Sequence, residues 1–164
     1  MCFWEEPVIP KGICVTETLY MLKSIVLTEY LVFLGAETRP AFFAFLTSHV
    51  TLNGRDVVKF DNVKTNKGKD YDPSTGVFTA PQNGLYQISC MILAVTGSDV
   101  QYQIDVNDQL FGYGYSNKGH YSSNSLTYLL ELNKGDKVLV RHRGNDGQQV
   151  HGSHHSYFNG YLID

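Results

Sequence analysis

Three short runs between residues 60 and 86 are the most informative part of this chain of 164 residues. They read Phe60-Asp61-Asn62-Val63-Lys64-Thr65-Asn66, then Tyr71-Asp72-Pro73-Ser74-Thr75-Gly76-Val77-Phe78-Thr79-Ala80-Pro81, and then Gly84-Leu85-Tyr86. Together they place aromatic residues, an Asn, a Pro and three turn-forming segments at fixed intervals. Gly, Asn and Asp tolerate the backbone angles that tight turns require, and Pro presets one of them. The spacing therefore predicts short strands separated by turns.

Outward from these runs, the chain after Pro40 has a hydrophobic period of two. Val100 to Val106 and Leu126 to Leu132 alternate apolar with polar residues, as half-buried strands do. Leu85 to Val95 is apolar at most positions, which is typical of a central strand covered on both faces, and Cys90 within it is expected to be a small buried hydrophobe. No window after residue 40 sustains a helical stripe. The pattern predicts an all-β sandwich.

Composition limits the classes of function. With 43% hydrophobic and 18% charged residues, the chain can bury one sizeable core. Its formal net charge of -3 argues against neutralising the phosphates of a nucleic acid, which requires a concentrated basic surface. The one dense basic run is Arg141-His142-Arg143.

The three runs also resemble the signature of the C1q globular head domain family. Its places for aromatics, Asn and Gly are filled by Phe60, Asn66, Tyr71, Phe78, Gly84 and Tyr86. Ile88 and Cys90 stand where the family has Phe and an aromatic, and both keep the apolar character. Residues 39–47 look like the family's first strand, 156–163 like its last strand, and 129–138 like the hairpin before its penultimate strand.

The resemblance implies a C1q/TNF-like jelly-roll β-sandwich of about ten strands, with the first and last strands paired. It covers residues 38–164, so residues 1–37 are expected to be an N-terminal extension to this domain. Family members generally assemble as homotrimers or heterotrimers. Residues 1–39 contain only two glycines and therefore no collagen repeat. Trimerisation is then expected to rest on the head domain alone.

The extension has two interpretations. Residues 21–36 resemble a signal-like segment, with Lys23 at its start and Gly35-Ala36 as small residues near a cleavage point. Alternatively, the extension is a poorly packed, partly helical tail. Lys23 and Glu29 interrupt the apolar run, so no stable membrane span is expected. Because the resembled family is overwhelmingly secreted, the signal-like interpretation is favoured and an extracellular location is expected.

No motif for catalysis is present, so no enzyme, no catalytic residue and no cofactor is expected. Asp105 and Asp108 are interpreted as solvated charges at the end of a strand. His142, His151, His154 and His155 could converge on a transition metal, but their spacing matches no specific zinc motif and exposed loop histidines are the favoured interpretation. The loop from Gly112 to Ser125 has no Asp or Glu, which disfavours calcium there.

Function is therefore expected in two polar loops, 112–125 and 144–156. The candidate ligand-binding residues are Tyr113, Tyr115, Lys118, His120 and Tyr121 in the first loop, and Arg141, Arg143, Asn145, Asp146, His151, His154 and His155 in or beside the second. The leading hypothesis is a secreted, non-enzymatic trimer that binds microbial or other polyvalent surface ligands, as in innate immunity. The alternative is a cerebellin- or TNF-like trimer that engages a protein receptor in signalling or adhesion.

Overall fold

The computed structural model describes residues 39–164. The signal-like segment at 21–36 and the boundary between the extension and the domain lie outside these residues and stay predictions. Between residues 39 and 164 the chain forms strands and turns, and no helix there has the length and apolarity to cross a bilayer.

Twelve strands follow one another along the described residues. They are β1 (Ala41–Phe45), β2 (Val50–Leu52), β3 (Asn62–Lys67), β4 (Tyr71–Asp72), β5 (Val77–Thr79), β6 (Gly84–Leu93), β7 (Val100–Val106), β8 (Gln109–Ser116), β9 (Ser123–Leu132), β10 (Lys137–His142), β11 (Gln148–Val150) and β12 (Tyr157–Leu162).

Ten of these strands form two five-stranded sheets, which confirms the predicted jelly roll. The first sheet has the order β3-β1-β12-β6-β9 and the second has the order β4-β5-β10-β7-β8. Strands β11 and β2 form a small third sheet. The first and last strands pair antiparallel, with Ala41 opposite Tyr161, as the resemblance implies.

The signature aromatics fill the core between the two large sheets. Phe60, Tyr71, Phe78 and Tyr86 are each at most 1% exposed. Phe42 of β1 stacks on Tyr71 and Phe78, with ring centroids 5.0 and 4.8 Å apart. Burying one such ring stabilises the fold by about 1.5–3 kcal/mol. Cys90 is also fully buried, as predicted.

Polar groups of the signature form hydrogen bonds with the backbone. Asn66 Nδ2 donates to Tyr71 O at 2.8 Å, and Asn66 Oδ1 accepts from Tyr71 N at 3.2 Å. The Tyr71 hydroxyl donates to Phe60 O and accepts from Phe60 N, both at 3.1 Å. These bonds satisfy backbone groups that would otherwise be buried without partners. The signature therefore specifies the scaffold.

Two predicted elements differ from the structure. Asn133 to Asp136 forms a tight turn, with Asp136 N donating to Asn133 O at 3.0 Å, but it connects β9 and β10, which lie in different sheets. The expected hairpin at 129–138 is therefore wrong. Two of the three polar residues of β7 are also buried rather than exposed, because Gln103 is 4% and Asp105 is 0% exposed.

Candidate functional site

Tyr113 and Tyr115 lie on strand β8, so their predicted placement in a loop is wrong. They are 65% and 47% exposed and lie opposite Gln103 and Gln101 of β7, on the outward side of the second sheet. Gly112 and Gly114, on either side of Tyr113, face inward. An added Cβ at Gly114 would lie 2.6 Å from Tyr102 Cζ. In the sequence, two glycines separated by one residue suggest a loop, but here they leave space for aromatic rings that face the core.

Lys118, His120 and Tyr121 do lie in the connection between β8 and β9, as predicted. All three are exposed, and Tyr121 is 73% exposed with a φ of 51°. They form the tip of this loop.

Arg141 is not a loop residue, because it lies on β10 and its side chain is only 15% exposed. Its Nε lies 2.6 Å from Asp105 Oδ2, and its second terminal nitrogen lies 2.5 Å from Asp108 Oδ1. The solvated-charge interpretation of Asp105 is thus wrong, since this carboxylate is buried and also accepts a hydrogen bond from Gln103. A cation committed to two carboxylates has little charge left for a ligand.

Arg143 of the same basic run is exposed and contacts an aromatic ring. Its guanidinium carbon lies 4.7 Å from the centre of the Tyr113 ring, a cation–π contact. We name the outward surface formed by Gln101, Tyr113, Tyr115 and Arg143 the β8 face. The β8 face thus contains Tyr113 and Tyr115 from the first group of candidate ligand-binding residues and Arg143 from the second.

The predicted loop 144–156 is shorter than expected because it contains β11. Asn145 and Asp146 lie in the turn before this strand and are exposed. Asp146 Oδ1 accepts from Gly54 N at 2.6 Å, which joins this turn to the one after β2.

Asn145 and Asp146 also border an open cleft of about 370 Å³. Its walls are residues 96–99, which connect β6 and β7, and residues 145–149. We name it the loop cleft. Gln148, which sequence reasoning missed, is 5% exposed and belongs to the second wall.

The four histidines do not converge, and His142 departs from the favoured interpretation of exposed loop histidines because it lies on β10. His142 is fully buried, with Nδ1 2.9 Å from Gly54 O and Nε2 3.0 Å from Gln148 Oε1. His154 packs against Phe45, with ring centroids 5.6 Å apart. Only His151 and His155 lie together, with ring centroids 4.9 Å apart.

His49 joins this pair and was missed in the sequence. Its ring centroid lies 4.1 Å from that of His151, because β2 and β11 pair with Val50 opposite Val150. This pairing spans about a hundred residues of sequence, so no local pattern announces it. Between residues 39 and 164, no group of three His, Cys, Asp or Glu side chains could hold a metal ion.

A second exposed surface lies on the opposite sheet, and sequence reasoning missed it as well. Phe43, Phe45 and Tyr157 pack together with ring centroids 4.8 to 6.2 Å apart. Tyr161 and Leu129 continue this surface and are 43% and 58% exposed. We name these five residues the β12 face. Two rows of opposed residues cross this face from β1 through β12 and β6 to β9, one from Ala41 to Leu129 and the other from Phe45 to Ser125. Neither row contains a charged residue.

Residues 41–163 match the family model of the C1q domain. The chain belongs to the C1q domain family. The C1q/TNF-like fold is a non-enzymatic recognition and signalling fold, and its members form trimers. This family membership agrees with the buried signature residues, whose places the pattern had identified.

Two curated relatives have similar sequences. Complement C1q tumor necrosis factor-related protein 3 of Mus musculus is 32% identical over 134 residues, which cover 77% of this chain and 52% of that protein. Heavy metal-binding protein HIP of Mytilus edulis is 32% identical over 129 residues, which cover 75% of this chain and 60% of that protein. The chain thus spans about half to three fifths of the length of these relatives.

Solved structures show the same architecture. The globular domain of zebrafish complement 1qA protein matches with a TM-score of 0.63 at 20% identity, covering 76% of this chain and 98% of that one. Eiger TNF from S. frugiperda matches with a TM-score of 0.58 at 14% identity, covering 77% of this chain and 93% of that one. At these identities the likeness shows the fold, which is the C1q/TNF jelly roll.

Proposed function

We propose that this chain is a secreted, non-enzymatic homotrimer that binds polyvalent surface ligands, such as microbial polymers, through its exposed loops. The observation that carries the proposal is the separation of two surfaces: the β12 face suits assembly, and the β8–β9 loop and the loop cleft lie on other elements and stay available for ligands.

The β12 face has the composition of an assembly interface. Three aromatic rings lie in contact on the outward side of β1 and β12, and the rows beside them lack charge. The cores of protein interfaces are enriched in aromatic residues and depleted of charged ones. Exposed apolar patches of this kind mark interaction sites. A second and third copy of the chain are the occupants that family membership favours.

A trimer turns a weak loop contact into useful binding. Three copies of one loop engage a repetitive polymer together, and linked sites can exceed single-site affinity by about 10²- to 10⁴-fold. A monomeric sandwich with small polar loops has no such gain. The proposal therefore predicts that polymer binding depends on assembly.

The experiment is a binding screen of the purified chain against peptidoglycan, lipopolysaccharide, mannan and a panel of membrane-protein ectodomains. Saturable binding to at least one polymer is expected, and it should weaken at least tenfold in a monomeric variant. The natural N-terminus, read by mass spectrometry of the extracellular protein, tests secretion; a protein found only inside cells would contradict it.

The receptor alternative is favoured by the β8 face. Tyr and Arg dominate binding hot spots between proteins, and Tyr113 with Arg143 over its ring presents both on a flat sheet surface. Binding to an ectodomain alone, lost in Tyr113→Ala and retained in His120→Ala, would replace the polymer proposal with this one. Arg143 is the basic residue to test, because Arg141 is held by Asp105 and Asp108.

The name of the mussel relative raises metal binding for this chain. The nearest group of side chains is His49, His151 and His155, whose rings lie against one another. The rings of His49 and His151 are tilted by 49° and those of His151 and His155 meet edge to face, and within 39–164 no group of three His, Cys, Asp or Glu side chains could hold a metal ion. We therefore make no metal-binding proposal.

A further inference from the structure

The turn after β2 contains one of the three Asn-Gly pairs of this chain, Asn53-Gly54. An Asn side chain that precedes Gly is open to attack by the next backbone nitrogen, because glycine has no side chain to hinder the approach. The attack forms a five-membered succinimide, which water opens to aspartate or isoaspartate. Asn53 and Gly54 are both exposed, and nothing lies within 4 Å of the Cβ position of Gly54. Water therefore reaches the reacting groups.

A carboxylate lies against the attacking nitrogen. Asp146 Oδ1 accepts from Gly54 N at 2.6 Å, which is within the reach that a general base requires. Asp146 belongs to the turn before β11, so this contact depends on the fold and not on the sequence around Asn53. The carboxylate is therefore placed to take the proton of Gly54 N as this nitrogen forms a new bond.

The amide that is attacked has a partner for its oxygen. Gly147 N donates to Asn53 Oδ1 at 3.1 Å, and because a backbone N–H can only donate, this bond fixes which way the amide points. Attack moves negative charge onto Asn53 Oδ1, and a backbone donor at about this distance stabilises such an oxygen. The amide nitrogen, which must leave, lies on the other side of the carbon atom.

The other two Asn-Gly pairs lack part or all of this arrangement. Asn83 Oδ1 accepts from Lys134 N at 2.8 Å, but no side-chain carboxylate of residues 39–164 accepts from Gly84 N. The pair at 159–160 lies within β12 between two neighbouring strands, and its glycine is buried. The three pairs thus form a series. The first has the base and the oxygen donor, the second has only the oxygen donor, and the third has neither among the described residues.

We propose that Asn53 is a site of spontaneous deamidation that the fold itself catalyses, with Asp146 as the general base. Gly54 N bonds to Asn53 Cγ while its proton passes to Asp146 Oδ1 and one electron pair of the C=O bond moves to Asn53 Oδ1. As the C=O bond forms again, the bond from Cγ to Nδ2 breaks. The Nδ2 group takes a proton from solvent and leaves as ammonia, and Asp146 releases its proton to solvent.

Water then opens the succinimide in one of two ways. Opening at Cγ gives aspartate, and opening at the backbone carbonyl carbon gives isoaspartate, which adds one carbon atom to the backbone between residues 53 and 54. Either product places a new carboxylate beside Asp146. Gly54 O lies 2.9 Å from Nδ1 of the buried His142, so a longer backbone displaces this contact as well. The modification therefore loosens the joint between the two turns, whatever ligand the protein binds.

The test follows the purified full chain at neutral pH over several weeks. Peptide mass spectrometry measures deamidation at each Asn-Gly pair, and fragmentation by electron transfer distinguishes isoaspartate from aspartate. We expect Asn53 to react at least about tenfold faster than Asn83, a modest share of the 10²- to 10⁴-fold that general-base catalysis typically contributes. In the chain unfolded by guanidinium, the three rates should be alike, because the contacts with Asp146 and Gly147 are gone.

Matched variants test the role of the base. Asp146→Ser keeps a short acceptor but has no carboxylate, so deamidation at Asn53 should slow about tenfold while the rate at Asn83 stays unchanged. Asp99→Ser removes a carboxylate from the opposite wall of the loop cleft and should leave both rates unchanged. Circular dichroism checks the fold of each variant. Faster deamidation at Asn159 would reveal unfolding, since that pair is held within β12.

Three outcomes would overturn the inference. If Asn53 reacts no faster than Asn83 in the folded chain, the hydrogen bonds protect Asn53 instead of activating it. If the same ratio of rates persists in guanidinium, the neighbouring sequence decides the rate and the fold contributes nothing. If the folded Asp146→Ser variant deamidates at Asn53 as fast as the natural sequence, Asp146 only positions the turn and is not the base.

Discussion

At the scale of single residues, the most consequential group is the buried carboxylate of Asp105. Its oxygen atoms contact Arg141 at 2.6 Å and accept from Gln103, and the more distant Arg55 lies 3.6 Å away. A buried ion pair adds little stability by itself, but removing one partner leaves a charge without compensation. Arg141 thus acts as a structural residue on a surface where a ligand-binding one was expected.

Arg141→Ala should therefore lower the free energy of unfolding by about 3–5 kcal/mol. Arg143→Ala is the matched control, because this Arg is exposed and its cation–π contact is worth about 0.5–1 kcal/mol. Urea unfolding followed by far-ultraviolet circular dichroism measures the free energy of unfolding of both variants. Adding Asp105→Asn to Arg141→Ala should recover part of the loss, since the unpaired charge is gone. Equal, small effects of the two Arg variants would contradict the account.

Alkaline pH should destabilise the fold through three buried groups. Burial raises the pKa of the Cys90 thiol and of the Tyr71 and Tyr102 hydroxyls above their ordinary values of about 8.5 and 10. The unfolded chain loses these protons first, so above those values it binds fewer protons than the folded chain. The free energy of unfolding is then constant with respect to these groups below about pH 8 and falls as pH rises.

Each group contributes a slope of up to about 1.4 kcal/mol per pH unit once its unfolded form ionises. Urea unfolding between pH 8 and 11 should show a slope that steepens near pH 10, where the tyrosines join the thiol. Tyr102→Phe should make the slope above pH 10 shallower by one group's share. A slope identical to that of the natural sequence would show that Tyr102 does not contribute.

The sequence predicted buried aromatics better than buried polar groups, for a physical reason. A pattern of fixed spacing contains Phe60, Tyr71, Phe78 and Tyr86, and the favourable place for such rings in a β-sandwich is the core between the sheets. Whether Asp105 is buried depends on what lies across the sheet, and Arg141 is 36 residues away along the chain. Alternation in one strand cannot report its neighbour's side chain.

At the scale of elements, β8 shows how glycines set the spacing between sheets. Gly112 and Gly114 face inward opposite Ile104 and Tyr102 of β7. A Cβ at Gly112 would lie 2.6 Å from Tyr128 Cζ, and one at Gly114 would contact the Asn124 side chain as well as Tyr102. Glycine at these two positions leaves room for the ring of Tyr102 on β7, whose hydroxyl donates to Asn124 of β9 in the opposite sheet, and for the ring of Tyr128 on β9.

Gly114→Ala should destabilise the protein by about 1–3 kcal/mol, because the added methyl group overpacks this site and displaces the Tyr102 hydroxyl from Asn124. Gly119→Ala is the control: nothing lies within 4 Å of its Cβ position, so the change should stay within about 0.5 kcal/mol. Thermal unfolding compares the two. A neutral Gly114→Ala would mean that the rings move aside without loss.

The elements predicted from the sequence are those with a strong apolar pattern, either alternating or continuous. β6, β7 and β9 were expected from their patterns, and β1 and β12 from the resemblance. The sequence predicts a loop at β8 because glycine is depleted in strands. In the structure, these glycines leave room for aromatic side chains of neighbouring strands. β11 was missed because three polar-rich residues carry no period, and its pairing with β2 depends on distant sequence.

At the scale of the whole molecule, the question is which sheet carries the assembly. Both large sheets expose apolar side chains: Leu129 on the β12 face is 58% exposed, and Leu110 on the second sheet is 49% exposed. The surroundings differ. Leu129 lies in a cross-strand row that contains no charged residue, whereas Leu110 lies opposite Asp105, which forms an ion pair with Arg141. An apolar surface beside fixed charges is the poorer site for a dry interface.

Leu129→Asp should therefore convert the proposed trimer to a monomer at micromolar concentration, because each copy would bury a carboxylate without a partner. Leu110→Asp introduces the same charge at a similar exposure and should remain trimeric. Light scattering after size-exclusion chromatography gives the mass of each, and circular dichroism checks that both remain folded. A monomeric natural chain would refute the assembly itself, and a trimeric Leu129→Asp together with a monomeric Leu110→Asp would move it to the other sheet. The monomeric variant then also provides the comparison that polymer binding requires, since avidity vanishes with assembly while each single site stays intact.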